Sequence, residues 1–157
     1  MKKQKSIGNK GFSLVELIIV IAIMAILIGV MAPQLLKYVE RTRVSSDTQL
    51  ADTVKTAITT AVLDPVNMSD ASYQAAITTL GTATALESIP DVFKDDVAET
   101  LGESAAADIT ASWVASNLKS KDASGITVQL VGSNKVKVIV TGSHADGAGG
   151  SSAIVVE

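Results

Sequence analysis

A long stretch without charge dominates the beginning of this chain. Between Lys10 and Lys37 the only ionisable side chain is Glu16, and residues 17–36 form an almost continuous apolar run. Twenty residues at about 1.5 Å each make a helix of about 30 Å, which is the thickness of the hydrocarbon core of a bilayer. The pattern therefore predicts a helix that spans a lipid bilayer.

Glu16 is the exception within this stretch. An ionised carboxylate in the middle of a bilayer costs about 2.5–3.5 kcal/mol on insertion scales, so Glu16 needs either a partner or a shallow position. Its closeness in sequence to Lys10 gives it the shallow position while the helix is in lipid.

The residues around Glu16 carry a recognisable pattern. Residues 11–16 read Gly-Phe-Ser-Leu-Val-Glu, behind a leader with four lysines and in front of the apolar run. This arrangement resembles the start of type IV prepilins, closely over residues 2–36 and only in general layout beyond them. Pro33 also lies where many members of that family have a helix-breaking proline.

The resemblance implies a processing and assembly site. A membrane peptidase would cut between Gly11 and Phe12 and N-methylate Phe12 as the new terminus. Glu16 would then become the family's acidic residue that meets the N-terminal ammonium of a neighbouring subunit and sets the register of assembly. The family also implies an assembly ATPase and a membrane platform protein as partners.

Two other interpretations fit part of this N-terminal pattern. A secretory signal peptide also has a basic start and an apolar stretch. Its cleavage would best follow Val30-Met31-Ala32, but Pro33 would then be the first mature residue, which signal peptidases tolerate poorly. A plain membrane anchor is the second alternative, and it would not require the 11–16 pattern.

The remainder of the chain is large enough for one small domain. The sequence has 157 residues and no cysteine, and the part beyond the apolar run, about 120 residues, can bury a single core. Many pilins close their last segment with a disulfide. Here the carboxyl end must be held by packing and strand pairing instead.

Charge is divided unevenly along the chain. The formal net charge is −3, yet all four residues Lys2, Lys3, Lys5 and Lys10 precede Phe12, and residues 64–118 hold nine acids against Lys94. Such an acidic protein is a poor general ligand for nucleic acid. We expect the acidic region to face basic residues of neighbouring subunits, such as Lys37, Arg41, Lys135 or Lys137.

The first helix is predicted to run from residue 12 to residue 63. Gly29 is a weak helix former and Pro33 removes a backbone donor, so a break or kink is expected there. Residues 37–63 read as an amphipathic continuation, which Asp64-Pro65 ends. The expected apolar stripe is Val39, Ser46, Leu50, Val54, Ala57, Ile58 and Ala61, with Asp47 and the other charges largely off it.

The predicted fold is α+β, with a small globular head at residues 64–157. Short helices are expected in the connecting region 64–125, at about 69–80, 90–101 and 108–118, where Trp113 would anchor the core. Alternating residues predict a three-stranded antiparallel sheet within 126–157, interrupted by turn residues and a glycine-rich loop at 142–152.

Residues that could carry chemistry are sparse. Acids at 91, 95, 99 and 103 recur every four residues, which suits either a cation or basic partner or, more simply, a solvated helix face. His144 lies in the glycine-rich loop near Asp146, which alone offers too few oxygen ligands for calcium. The sequence predicts no enzyme, no metal site and no cofactor.

The sequence therefore predicts a structural subunit of a type IV pilus. Residues 1–11 would be the cleaved leader and residues 12–36 the transmembrane and later filament-core helix. The subunit would wait in the cytoplasmic membrane with its head outside and then join a homopolymer on the cell surface. Two alternatives stay open, namely a pseudopilin of a secretion or DNA-uptake machine and a membrane-anchored surface-binding module.

Overall fold

The structure is a computed structural model that describes residues 11–132, 135–142 and 154–157. The leader before Gly11, the turn at 133–134 and most of the glycine-rich loop, with His144 and Asp146, lie outside the described residues. The internal contacts divide the chain into two compact units, Met1–Leu36 and Lys37–Glu157.

The elements follow one another as helices first and strands last. The helices are α1 (Leu14–Leu63), α2 (Pro65–Met68), α3 (Tyr73–Leu80), α4 (Asp91–Leu101) and α5 (Ala111–Asn117), with 3₁₀ turns at Leu86–Ser88 and Ala106–Asp108. The strands are β1 (Thr84–Ala85), β2 (Gly125–Val131), β3 (Lys135–Thr141) and β4 (Ile154–Val156). The predicted α+β class is confirmed.

The first part of α1 is an exposed apolar cylinder. Every residue from Leu14 to Tyr38 is exposed, and this stretch is long and apolar enough to cross a membrane. Helical structure is assigned through Pro33, which lies inside α1. The helix ends at Leu63, and Asp64 then caps α2 by accepting a hydrogen bond from the Val66 backbone N–H at 2.7 Å.

From Val44 onward, α1 contributes one face to the core of the second unit. Val54, Ala57, Ile58 and Ala61 are buried as predicted, whereas Val39 and Ser46 are exposed. The buried face continues toward the N-terminus through Ala51, Asp47 and Val44. The predicted stripe was therefore wrong in its first part, because the packed face includes a carboxylate that we had placed toward solvent.

Threonine hydroxyls line the rest of this part of α1. Each donates a hydrogen bond to the backbone carbonyl four residues earlier, at 2.7–3.1 Å. The residues concerned are Thr42, Thr48, Thr53, Thr56, Thr59 and Thr60. This pattern satisfies the hydroxyl protons within the helix itself.

The sheet has four antiparallel strands in the order β1-β2-β3-β4, one more than predicted. Strand β1 is only two residues long and pairs Thr84 with Val128. So short a strand has no alternation that could reveal it in the sequence. Alternate residues of β2 and β3 point into the core, namely Ile126, Val128, Leu130, Val136, Val138 and Val140.

The helical connections differ from the prediction at their ends. Helix α3 begins at Tyr73 rather than after Ser69, because the Asp70 carboxylate accepts hydrogen bonds from the backbone N–H and hydroxyl of Ser72 and holds a turn there. These bonds lower the pKa of Asp70. The predicted helix at 108–118 is shorter, and Thr110 caps it by accepting from the Trp113 N–H.

Phe93 rather than Trp113 fills the centre of the core. Phe93 is fully buried and meets Tyr73 edge to face, with ring centroids 5.9 Å apart. Trp113 is half-buried at the margin, packs against the core and donates its ring N–H to Glu103 at 2.5 Å. Its predicted role in anchoring the core is thus shared with Phe93.

Strand β4 is held by pairing and by charge. Val138, Ile139 and Val140 of β3 pair with its three residues, and Ile154 is buried. Beyond the strand, the Glu157 carboxylate lies 3.0 Å from Lys137 Nζ, and Lys55 Nζ donates to the Glu157 main-chain oxygen.

Candidate processing and assembly site

The residues that follow Gly11 form a capped helix start. Ser13 precedes the first helical residue, and its hydroxyl accepts a hydrogen bond from the Val15 N–H at 3.4 Å. The Glu16 carboxylate turns back and accepts from the Ser13 N–H at 2.8 Å. The Glu16 bond is one half of a capping box, whereas the Ser13 hydroxyl accepts from the second helical residue instead of the third. Together the two bonds satisfy two backbone donors at the start of the helix.

Sequence reasoning missed the contribution of Ser13. The signal was present, because a serine followed three residues later by glutamate, directly before an apolar run, is the sequence pattern of a capping box. The structure thus shows the Glu16 carboxylate bonded within its own chain. Its partner, Ser13, directly follows Phe12. In this position the Glu16 carboxylate also lies at the positive end of the helix dipole.

The bond that the sequence predicts to be cut, between Gly11 and Phe12, lies in an accessible segment. Gly11 and Phe12 precede α1, and Phe12 is 93% exposed. A Cβ added to Gly11 would meet no atom within 4 Å, so the described fold does not require glycine at this position.

The apolar surface beside this segment is extensive. All large hydrophobic side chains from Leu14 to Leu36 are exposed in the single chain. A contiguous surface of this kind marks contact with lipid or protein. The two residues of the predicted break, Gly29 and Pro33, both lie within this part of α1.

A second group of polar contacts fixes α1 to the segment after α5. The buried Asp47 carboxylate accepts hydrogen bonds from the Lys119 N–H at 2.7 Å, the Ser120 N–H at 2.9 Å and the Ser120 hydroxyl at 2.5 Å. Two turns earlier, Glu40 accepts from the Lys121 N–H at 2.8 Å. Two carboxylates of α1 thus bind three consecutive backbone N–H groups.

The acids of the head divide into bound and solvated groups. Asp96 accepts a hydrogen bond from the Asn67 side chain at 2.5 Å, and Glu103 accepts from Trp113. Asp91, Asp95 and Glu99 lie exposed along α4, and Asp91 pairs with Lys94 at 3.0 Å. In the described part of the chain, no group of three His, Cys, Asp or Glu side chains is placed to hold a metal ion.

Comparison with known proteins places the N-terminal segment. Residues 8–32 match the family model for the prokaryotic N-terminal methylation motif. A fimbrial protein of Moraxella nonliquefaciens is 47% identical over 53 residues, which is 34% of each chain. A type IV major fimbrial protein FimA of Dichelobacter nodosus is 45% identical over 56 residues, 36% of each chain.

The matches are confined to part of each protein. The alignments with these two relatives span about a third of the relatives' own length. No solved structure matches the chain.

The chain thus joins a segment that matches an N-terminal methylation motif to a helix long and apolar enough to cross a membrane and to a small α+β head. Its N-terminal segment is similar to those of fimbrial proteins, and the resemblance to type IV pilins predicted from residues 11–16 is confirmed.

Proposed function

We propose that this chain is a structural subunit of a type IV pilus rather than an enzyme. The observation that carries the proposal is the methylation motif at residues 8–32, joined to an apolar helix that is exposed along its whole first part. The fimbrial names of the similar proteins favour a pilus over a secretion or DNA-uptake pseudopilus. The proposed domain boundaries are leader 1–11, apolar helix 12–36, amphipathic helix 37–63 and head 64–157.

The proposed course begins in the cytoplasmic membrane. The apolar helix spans the bilayer once, with the head outside the cell. A prepilin peptidase cuts after Gly11 and methylates Phe12. An assembly ATPase and a platform protein then draw the subunit into a surface filament, whose core is the apolar helices of many copies. Because lipid tails and apolar side chains are about equally hydrophobic, this transfer is close to neutral and needs outside work.

Glu16 is proposed to direct the register of assembly. In the free subunit its carboxylate caps its own helix through Ser13. Inside an apolar bundle an unpaired charge is costly, whereas a close ion pair recovers much of that cost. An incoming Glu16 would therefore exchange its capping bond for the ammonium of a docked neighbour's Phe12, in one favoured register.

The region of Gly29 and Pro33 is proposed to loosen when subunits pack. Helix is assigned through both residues in the single chain. Gly29 has low helix propensity, and Pro33 cannot donate to the carbonyl of Gly29, so this turn opens more easily than its neighbours. A local opening would adjust the helix length to the spacing of the filament.

The test is the chemistry of the mature terminus together with imaging of filaments. Mass spectrometry should find a chain that begins with N-methylated Phe12, and wild-type cells should carry filaments that a deletion strain lacks. Gly11→Val should leave uncut precursor in the membrane and no filaments. A mature chain that begins at Pro33, or a head that binds its ligand in cells without any filament, would contradict the proposal.

A further inference from the structure

The unit that begins at Lys37 carries a cleft with two cations. The cleft has a volume of about 480 Å³ and is formed where α1 meets the segment after α5. Its lining residues are Thr42, Arg43, Ser46, Leu118 and Lys119. The cations come from two elements that are far apart in the sequence, so no local motif could have revealed them.

The backbone segments that carry the two cations are joined through the buried carboxylate of Asp47. Asp47 lies one helical turn after Arg43, and its Oδ1 accepts the backbone N–H of Lys119 at 2.7 Å. Ser120 adds two further hydrogen bonds to the same carboxylate. Because these bonds are buried, the backbone that carries Lys119 is positioned before any ligand arrives, which lowers the entropic cost of binding.

Both cations keep donor capacity. Arg43 Nη1 forms a long ion pair with Glu40 Oε2 at 3.5 Å, and the Arg43 side chain is 49% exposed. The other oxygen of Glu40 accepts from the Lys121 N–H. Lys119 Nζ donates to a neutral acceptor, the Ser116 carbonyl, at 2.9 Å. Arg43 and Lys119 can therefore offer further N–H donors to an anionic ligand, beside the carboxylates of Glu40 and Asp47.

A complementary feature lies on α4 of the same chain. Asp91, Asp95 and Glu99 recur every fourth residue and are exposed on one face. Asp91 is paired with Lys94, but in the described part of the chain the carboxylates of Asp95 and Glu99 have no hydrogen-bond or ion-pair partner. Residues four apart on a helix lie about 5–6 Å from one another, so the two carboxylates can approach two cations together.

We propose that the cleft of Arg43 and Lys119 receives Asp95 and Glu99 from a second copy of this chain. This inference rests on the proposed filament, and it names a contact between heads rather than between apolar helices. The two surfaces are unlike, so the contact is heterologous. A heterologous contact leaves both surfaces free at the ends of any assembly and extends an open helical polymer. The contact weakens as salt concentration rises, because both surfaces are exposed.

One of the basic residues expected from the sequence to meet the acidic region, Lys137, pairs with Glu157 of its own chain at 3.0 Å. The ion pair of Arg43 with Glu40 is longer, at 3.5 Å, and Lys119 donates to a carbonyl. Arg43 and Lys119 also line the same open cleft, so they suit a pair of carboxylates better than Lys137 does.

The first experiment reverses the charges in the full-length protein. Arg43→Glu with Lys119→Glu, and separately Asp95→Lys with Glu99→Lys, should each lower the yield of sheared filaments severalfold. Combining all four changes should restore most of the yield. The matched control is Asp52→Lys, since Asp52 is an exposed acid of α1 away from the proposed contact, and it should leave the yield unchanged. Trp113 fluorescence of the detergent-solubilised subunit verifies that each variant is folded.

The second experiment uses the absence of native cysteine. A chain that carries both Lys119→Cys and Glu99→Cys should give a ladder of linked subunits when filaments are treated with a short bismaleimide. Either single variant should stay monomeric, because its one cysteine would face a residue that cannot react. Lys119→Cys with Asp52→Cys is the matched control and should give no ladder.

The outcomes separate this contact from the filament itself. Absence of filaments in wild-type cells would overturn the proposed function. Wild-type filaments together with normal assembly of both charge-reversed variants, or with no ladder from the first cysteine pair, would overturn only this contact. Loss in Arg43→Glu/Lys119→Glu that the α4 reversal fails to restore would also overturn it, and would indicate an anion of another source, such as a lipid headgroup.

Discussion

At the scale of single residues, Asp47 is the most constrained polar side chain that the structure describes. It is fully buried and accepts three hydrogen bonds from Lys119 and Ser120. A buried donor left without a partner costs about 1–3 kcal/mol. Removing the carboxylate would leave three such donors in one place.

We therefore expect Asp47→Ala to lower the free energy of unfolding by about 2–4 kcal/mol, since water can replace only part of the lost bonding. Asp47→Asn should lie between this variant and the wild type, because its amide N–H₂ group cannot accept from Ser120. The measurement is urea unfolding in detergent, followed by the fluorescence of the single tryptophan. Asp52→Ala, at an exposed acid of the same helix, should stay within about 0.5 kcal/mol of wild type. Equal effects at the two positions would contradict the role of Asp47.

Gly142 is required both by its backbone conformation and by its surroundings. Its φ is +77°, and a Cβ built on it would lie 2.1 Å from the Asp122 carbonyl oxygen. Gly102 has a similar φ of +82° but open space around its Cβ position. The two glycines separate backbone strain from a steric clash.

Gly102→Ala should thus lower the free energy of unfolding by about 1–2 kcal/mol, the cost of the left-handed conformation alone. Gly142→Ala should lower it by clearly more, because the Asp122 carbonyl must also move. Urea unfolding of both variants, under the same conditions as for Asp47, gives the comparison. If Gly142→Ala were no less stable than Gly102→Ala, the backbone at Asp122 would be able to move away from the added methyl group without loss of stability.

At the scale of elements, β4 is held by few residue pairs in the described sheet. Only the two-residue strand β1 has fewer. Three pairs join it to β3, and Glu157 beyond it binds Lys137. The hydrogen bond and the charge of Lys137 lower the pKa of the Glu157 carboxyl below its usual value. A lowered carboxyl pKa means that this contribution to stability is present above the unfolded pKa and is lost as pH falls through the folded pKa.

Lys137→Met should accordingly speed the amide hydrogen exchange of Val155 and Val156, relative to wild type, at about pH 7. The difference should vanish well below the ordinary glutamate pKa of about 4.3, where Glu157 is protonated in both proteins. Lys135→Met is the matched control, because Lys135 is a smaller contributor to the same shift. A difference between variant and wild type that persists unchanged in acid would assign the effect to packing of the lysine side chain instead.

The elements show how far the sequence alone could lead. The long helix, its end before Pro65 and the strands β2 to β4 follow from periodicity and turn residues, and the structure confirms them. The set of buried residues predicted for the amphipathic part of α1 was wrong in its first part, where Val44 and Asp47 are buried instead of Val39 and Ser46. Small residues such as Ala51 carry little hydrophobic signal, and a buried carboxylate cannot be distinguished from an exposed one until its donors are known. Those donors, at Lys119 and Ser120, lie 72 and 73 residues after Asp47 in the sequence.

The proposed processing and assembly site, by contrast, could be proposed from the sequence because all of it lies in one local motif. Residues 11–16 contain the proposed cleavage position, the capping serine and Glu16, and the hydrogen bonds among them are local. The cleft of Arg43 and Lys119 could not be predicted in this way, since its two cations meet only when the head is packed.

At the scale of the whole molecule, the proposed assembly depends on whether the subunit can polymerise without the Glu16 carboxylate. Glu16→Ala should permit insertion and cleavage but prevent filaments, because the ammonium of a neighbour's Phe12 would be buried without a partner. Glu16→Asp, one methylene shorter, should assemble poorly. Filament yield is compared with the amount of mature subunit in the membrane. Normal filaments from Glu16→Ala, with cleavage confirmed, would show that the acid serves another purpose, such as recognition by the peptidase.

The threonines of α1 affect how much hydrogen bonding this helix loses when water is removed from its surface. Serine, threonine and charged side chains on a helix surface usually hold water, which must be stripped away when another protein covers them. The six threonines from Thr42 to Thr60 already donate their hydroxyl protons to the helix's own carbonyls. A neighbouring surface that displaces water from them leaves no threonine proton without an acceptor. These positions of α1 can therefore pass from a hydrated to a dehydrated environment with little loss of hydrogen bonding.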